Sequence, residues 1–171
     1  EYIFFLDSDD FFRKNKLKEI IKIFEKNPNT DFIQDRPYSI KNKNKIELKI
    51  KKHKYSIWPS FYPTSCITFK RKYFFQFIKY LKSNDYPNLE IDARLCIYSF
   101  LKGKFKIINR SFTNYSYDSL GITSKYKKFS LAWWKKRKEA FDYMFFLMRK
   151  FDQKIIKGLD YYLTLFINFF L

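Results

Sequence analysis

Tyr2-Ile3-Phe4-Phe5-Leu6-Asp7-Ser8-Asp9-Asp10 joins an apolar run directly to an acidic one. Its first five residues are continuously apolar instead of alternating, the pattern of a strand buried on both faces in a largely parallel sheet. Three aspartates follow almost at once. Downstream, Leu17, Ile20, Ile21 and Phe24 recur at helical spacing, and Asn27-Pro28-Asn29 closes that helix. Strand, acidic loop and helix in that order make an α/β unit. Open α/β sheets place their ligand crevices at the carboxyl ends of strands, where this loop sits. If strand geometry persists past Leu6, Asp7 and Asp9 project to one side and can share a hard cation such as Mg²⁺ or Mn²⁺. A solvated loop, or a cluster capping the following helix, is the plainer reading of the same residues.

Working outward, Phe32 to Ile40 and Ile46 to Ile50 read as a hairpin around Lys41-Asn42-Lys43-Asn44. Trp58 to Pro63 is loop-like, Ser65 to Phe69 a short strand, and Arg71 to about Lys82 a helix. Pro87-Asn88 opens another helix, which Gly103 closes as a C-cap. Phe105 to Asn109 reads as a strand, and Arg110 to Lys128 as a long irregular segment. From Ser130 two amphipathic helices follow, broken near Lys157-Gly158. The apolar run Leu159 to Leu171 is interrupted by Asp160 and Asn168 and is short of the ~20 residues a membrane span needs, so it reads as a packing helix or an interfacial segment.

Composition bounds the rest. The 171 residues suffice for one sizeable core, and 23% aromatic content argues against disorder. A formal charge of +18 would ordinarily raise nucleic acid or an anionic membrane as partner. Abundant Lys, Ile, Asn, Phe and Tyr beside 3 Gly is also the bias of AT-rich coding sequence, so the charge selects no partner by itself. Cys66 and Cys96 lack CxxC spacing and His53 is the one histidine, so no zinc site is expected and the cysteines read as buried thiols in a cytoplasmic protein. His53, among Lys51, Lys52 and Lys54, reads as solvated.

The string Phe5-Leu6-Asp7-Ser8-Asp9-Asp10, with Asn15-Lys16-Leu17 at the head of a helix, resembles the family 2 glycosyltransferases of the GT-A fold. The resemblance implies a Rossmann-like mixed sheet flanked by helices, present here in part: the chain would begin at the strand carrying the DxD motif, with the nucleotide-binding part before it and a helical C-terminus after it. On the order of 60 to 100 residues would precede Glu1, and the isolated fragment would be inactive. It further implies inverting transfer of a sugar from a nucleotide-sugar donor to a cell-surface glycan or glycolipid, with Asp9 as main metal ligand and Asp7 against the metal or the donor ribose. Asp10 matches a commonly acidic next position, and Lys14 stands where many relatives have proline.

On the acceptor side, Glu90-Ile91-Asp92-Ala93-Arg94-Leu95, followed by Gly103 and Lys106-Ile107-Ile108, resembles the family segment whose acidic pair opens a helix. That places Asp92 as the base that takes the acceptor hydroxyl's proton, with Glu90 as a spare carboxylate. Both would also serve a helix N-terminus through the macrodipole alone. Pro63 to Arg71 resembles the strand and turn lining the acceptor pocket, bringing in Thr64 and Ser65, with Trp58, Phe61 and Tyr62 just upstream as sugar-stacking faces or core residues. Residues 1–128 would form the acceptor-side part of the domain and 129–171 the C-terminal helices. Asp118 is a candidate third metal ligand. Trp133 and Trp134 beside Lys135, Lys136 and Arg137 suit either packing or a helix on an anionic membrane, at its inner face.

Two other classes remain open on the residues alone. A basic nucleic-acid-binding module fits the charge and the aromatics but lacks a recognised motif. A catalytically silent relative that binds glycan or membrane fits the segment after Asn114, which departs from the family pattern. On the enzyme reading no nucleic acid is expected as partner.

Overall fold

The computed structural model describes residues 1–39, 44–45, 61–82, 84–116 and 126–171. Two compact units divide them.

The first unit, residues 1–39, 44–45, 61–79 and 102–116, is built on one mixed sheet. Its strands are β1 (Tyr2–Phe4), β2 (Phe11–Phe12), β3 (Phe32–Ser39), β4 (Asn44–Lys45), β5 (Ile67–Lys70) and β6 (Phe105–Tyr115), with helices α1 (Lys16–Lys26) and α2 (Arg71–Ile78). The order is β1-β5-β3-β6-β2, with β4 added to β3. Among the described residues β3 and β6 run parallel, and β1–β5, β3–β5, β3–β4 and β2–β6 are antiparallel. The α/β class expected from the sequence is correct, but the sheet is not largely parallel. β1 pairs with β5 alone among the described residues and is half-buried. A continuous apolar run records burial by side chains, which an edge strand obtains as readily: Tyr2 stacks on Phe24 at 4.8 Å and Phe5 meets Phe69 edge-on at 5.0 Å.

Helix α1 packs one face of the sheet through Ile20 and Phe24, which join Ile33, Ile108 and Phe112 in a core with Tyr2, Phe4 and Ile23 against it. Successive strand residues point to opposite faces, so Phe32 lies on the other side, stacked on Phe69, which in turn meets Phe74 of α2. The inward stripe of α1 is Lys16, Ile20 and Phe24, whereas Leu17 is about half exposed. The helix is therefore rotated from the face its apolar spacing suggests, because a lysine takes a core position.

Two further expectations are amended, and a third is not tested. Residues 110–115 continue β6 instead of forming loop, because they pair with both β3 and β2. The helix expected from Pro87-Asn88 begins at Ile91. The Ile46–Ile50 arm of the hairpin lies outside the described residues, although β4 pairs with β3 as a hairpin requires.

The second unit, residues 80–82, 84–101 and 126–171, holds α3 (Ile91–Lys102), α4 (Leu131–Lys150) and α5 (Leu159–Phe169). It thus includes residues 80–101 as well as the two C-terminal helices. Ser130 caps α4, its hydroxyl accepting the Trp133 N–H at 3.2 Å. Gly103, at φ +69°, ends α3 in the left-handed conformation that favours glycine. Helices α4 and α5 run antiparallel: Arg137 pairs with Asp160 at 2.8 Å, and the Asn168 amide donates to the Trp134 carbonyl at 3.1 Å. Arg94 is buried, and its guanidinium donates to the carbonyls of Leu81, Lys82, Tyr86 and Leu89, tying the segment that leads into α3. Cys66 and Cys96 are both buried, and burial pushes both thiols well above their ordinary value.

Candidate active site

The acidic loop begins where β1 ends. The strand stops at Phe4, and Asp7-Ser8-Asp9-Asp10 folds as a turn closed by the Asp10 N–H on the Asp7 carbonyl at 3.2 Å. Pleat geometry therefore does not set the relation of Asp7 to Asp9. Both carboxylates are nonetheless exposed, while Asp10 turns inward and is 6% exposed. One Asp10 oxygen accepts the Ser116 N–H at 2.8 Å, and the other is buried without a hydrogen-bond partner among the described residues.

Beneath the turn lies a polar network that sequence reasoning missed. Lys16 and Asp35 are both fully buried and pair at 2.9 Å. Lys16 Nζ donates to the Ser65 carbonyl at 2.6 Å and to Thr113 Oγ1 at 2.7 Å, while Asp35 Oδ1 faces it as an ion-pair contact without a hydrogen bond. The face of Phe12 closes a fourth side at 4.1 Å. Asp35 Oδ2 accepts the Phe112 N–H at 3.0 Å and the Thr113 hydroxyl at 2.9 Å. The β3–β6 register shifts between Asp35 and Pro37, which frees the Phe112 N–H for that side chain. Burial is the largest influence on Asp35 and raises its pKa, against the lowering effect of Lys16 and these hydrogen bonds.

Ser65 joins network to loop. Its carbonyl accepts from Lys16, and its hydroxyl accepts the Asp7 N–H at 2.9 Å. Pairing of β2 with β6, Phe12 opposite Thr113, brings the head of α1 to Thr113 and Asp10 to Ser116. The acidic turn is thus tied through Ser65 to the 3₁₀ turn Thr64–Cys66 and through Ser116 to the end of β6, with Asp7 and Asp9 exposed. The signal for this arrangement is present in the sequence: a lysine in register with Ile20 and Phe24, and an aspartate following Phe32-Ile33 in a strand.

The other candidate residues are placed as follows. Tyr62 is buried, its backbone clamped by the Gln34 amide through contacts of 3.1 and 3.3 Å. Thr64 is half-buried in the 3₁₀ turn Thr64–Cys66, and Ser65 is fully buried there, serving the loop rather than an open pocket. Trp58 and Asp118 lie outside the described residues, as does His53. In the second unit, Asp92 is half-buried in the first turn of α3, accepting the Ala93 N–H at 2.7 Å. Glu90 precedes the helix and is engaged by Lys136, whose Nζ lies 2.6 and 2.5 Å from its two oxygens. Trp134 is buried, and Arg137 is taken up by Asp160.

No group of three or more His, Cys, Asp or Glu residues arranged to hold a metal occurs among the described residues. Among the described residues, a concavity in the first unit is lined by residues including Lys70 and Arg71 and one in the second by residues including Tyr86 and Arg149, and neither includes an aspartate of the acidic turn. No curated protein matches the chain. A family model, described as glycosyl transferase family 2, matches residues 1–112, which span the whole of β1 through most of β6. With that match over more than half its length, the chain belongs to glycosyl transferase family 2.

Proposed function

We propose that this glycosyltransferase moves a sugar from a nucleotide-sugar donor, with inversion, onto a cell-surface glycan or glycolipid, using the Asp7–Asp10 turn at the donor diphosphate. The observation that carries the reading is the turn itself: two exposed carboxylates on a backbone anchored through Ser65 to a fully buried ion pair. A rigid carrier of this kind holds charge where a flexible acidic loop would not, and preorganised charge is the main protein contribution to such transfers.

The residues present fit a hard divalent cation, Mg²⁺ or Mn²⁺, held by Asp9 and Asp7. Two carboxylates are what Mg²⁺ commonly takes from protein, the remaining positions going to water and substrate phosphates. The inward oxygen of Asp10, buried and unpartnered among the described residues, adds negative potential beneath them. When bound, the cation supplies charge neutralisation to the departing nucleoside diphosphate. Asp92 is the base in this reading, removing the acceptor hydroxyl's proton as that oxygen bonds to the anomeric carbon and the diphosphate oxygen leaves. Glu90, being engaged by Lys136, is a positioning residue at most. Asp9→Ala in the full-length enzyme tests the assignment: transfer should fall by at least a hundredfold and lose its dependence on added Mg²⁺ or Mn²⁺. Metal-stimulated transfer at the parent rate would overturn it.

A further inference from the structure

Helix α5 turns only part of its surface toward α4. Tyr161 and Thr164 are buried, and Asn168 reaches the Trp134 carbonyl. The opposite side is apolar and open along the whole helix: Leu159, Leu163, Phe166 and Phe169 recur at helical spacing and are 89%, 52%, 63% and 84% exposed. Phe170 continues the face past the helix end. Because α4 and α5 are antiparallel, the start of α4 lies at this same end, and it adds exposed Phe129 and Leu131. Single exposed apolar residues need no explanation, but a contiguous aromatic face does.

Charge names the partner. Lys127, Lys128 and Lys135 are exposed beside Phe129 and Leu131, and Lys154 and Lys157 are exposed just before the other end of α5. No Asp or Glu occurs in residues 126–138 or 161–171. Asp160, the one acid on α5, is neutralised by Arg137. An apolar stripe flanked at both ends by cations is the surface of a helix lying in the headgroup layer of an anionic bilayer. Spanning is not available to it: 11 residues extend about 16 Å against a hydrocarbon core of about 30 Å. Among the described residues no helix is long and apolar enough to cross a membrane.

We propose that α5 and the head of α4 form an in-plane anchor that docks the chain on anionic lipid, with Phe166, Phe169, Phe170, Phe129 and Leu131 in the acyl boundary and Lys127, Lys128 and Lys135 on headgroups. Trp133 and Trp134 are not the anchor, since Trp134 is buried and packs edge-on with Trp133 at 4.7 Å. The proposal does not depend on the donor or the acceptor of the transfer reaction, because docking is measured without either.

Flotation of the chain with phosphatidylcholine vesicles, with and without phosphatidylserine, tests it. Binding should require phosphatidylserine and weaken with salt. Lys127→Ser/Lys128→Ser/Lys135→Ser should lower partitioning on the order of a hundredfold, since each surface lysine contributes about fivefold. Phe166→Ser/Phe169→Ser/Phe170→Ser should abolish it while leaving the far-ultraviolet circular dichroism unchanged, because these side chains are exposed. Equal binding to neutral vesicles, or retained binding by the phenylalanine variant, would overturn the proposal. So would a dimer in light scattering that the phenylalanine variant dissociates, with no vesicle binding by either form: the face would then be covered by a second copy.

Discussion

Lys16 and Asp35 meet at 2.9 Å with neither side chain exposed, and the ammonium also donates to the Ser65 carbonyl in the Thr64–Cys66 turn and to the Thr113 hydroxyl of β6. A buried pair of this kind is weak evidence for stability, because two charges had to leave water to form it. Its value lies in specification: Lys16 makes its two hydrogen bonds only if Ser65 and Thr113 stand where they do, and Ser65 in turn fixes Asp7. The ion pair therefore converts the packing of α1 on the sheet into a defined position for the acidic turn.

Removing one partner should cost far more than removing both. Lys16→Met leaves the Asp35 carboxylate buried and uncompensated, a loss of about 3 to 5 kcal/mol. Lys16→Met/Asp35→Asn restores neutrality and keeps an acceptor for the Phe112 N–H, so it should recover most of that loss. Urea unfolding of the three proteins checks this; equal destabilisation of the single and double variants would show that charge compensation is not what the pair provides.

Ser65→Ala separates support of the loop from support of the core. The carbonyl that receives Lys16 is untouched, while the Asp7 N–H loses its acceptor. Stability should fall by only about 1 kcal/mol, the net worth of one neutral hydrogen bond. Transfer activity of the full-length enzyme should fall at least tenfold, because a loop displaced by a fraction of an ångström misplaces its charge. Ser65→Thr, which keeps the hydroxyl, should regain part of the activity. Unchanged activity in Ser65→Ala would remove the link between this hydrogen bond and the chemistry.

How much of this was legible before the fold was known depends on the kind of residue. The motif from Phe5 to Asp10, the helix through Ile20 and Phe24, and the cap at Gly103 follow from local pattern, and each stands in the structure near its expected place. Strand direction did not follow, because an apolar run reports burial and not the polarity of its neighbour: β1 runs against β5. Residues 110–115 resemble loop in composition yet extend β6, since strands on both sides override weak local propensity. The support beneath the turn was hidden for a related reason. A lysine at the head of a helix is ordinarily solvated, and only its long-range partners Asp35, Ser65 and Thr113 make it a core residue.

Asp31 contributes to the pH dependence of the first unit on its acid side. Burial would raise its pKa, but hydrogen bonds and charge from Lys104 and Lys70, each at 2.9 Å, outweigh that and hold the carboxyl below its usual value. A carboxyl depressed in the folded state binds its proton later than in the unfolded chain. Its contribution is therefore complete above the ordinary aspartate pKa and is lost as pH falls through the lower, folded value. Asp31→Asn should cost about 1.5 to 3 kcal/mol near neutrality, the range for hydrogen bonds to charged groups. It should also flatten the acid side of the stability curve, measured by urea unfolding from pH 6 downward. Parallel curves for parent and variant would assign the acid sensitivity to other groups.

Asp92 and Glu90 stand two residues apart and should behave differently on substitution. Lys136 holds both oxygens of Glu90, whereas Asp92 sits in the first turn of α3 and accepts the Ala93 N–H. An ionised carboxylate is what a general base needs, and removing one costs about 10² to 10⁴ in rate. Asp92→Asn in the full-length enzyme should therefore lower kcat by that range with KM for the donor nearly unchanged. Glu90→Gln should act mainly through the loss of a half-exposed ion pair, worth up to about 1 kcal/mol, with kcat within a few-fold of the parent. If instead Glu90→Gln were the silent enzyme and Asp92→Asn the active one, the base would be Glu90.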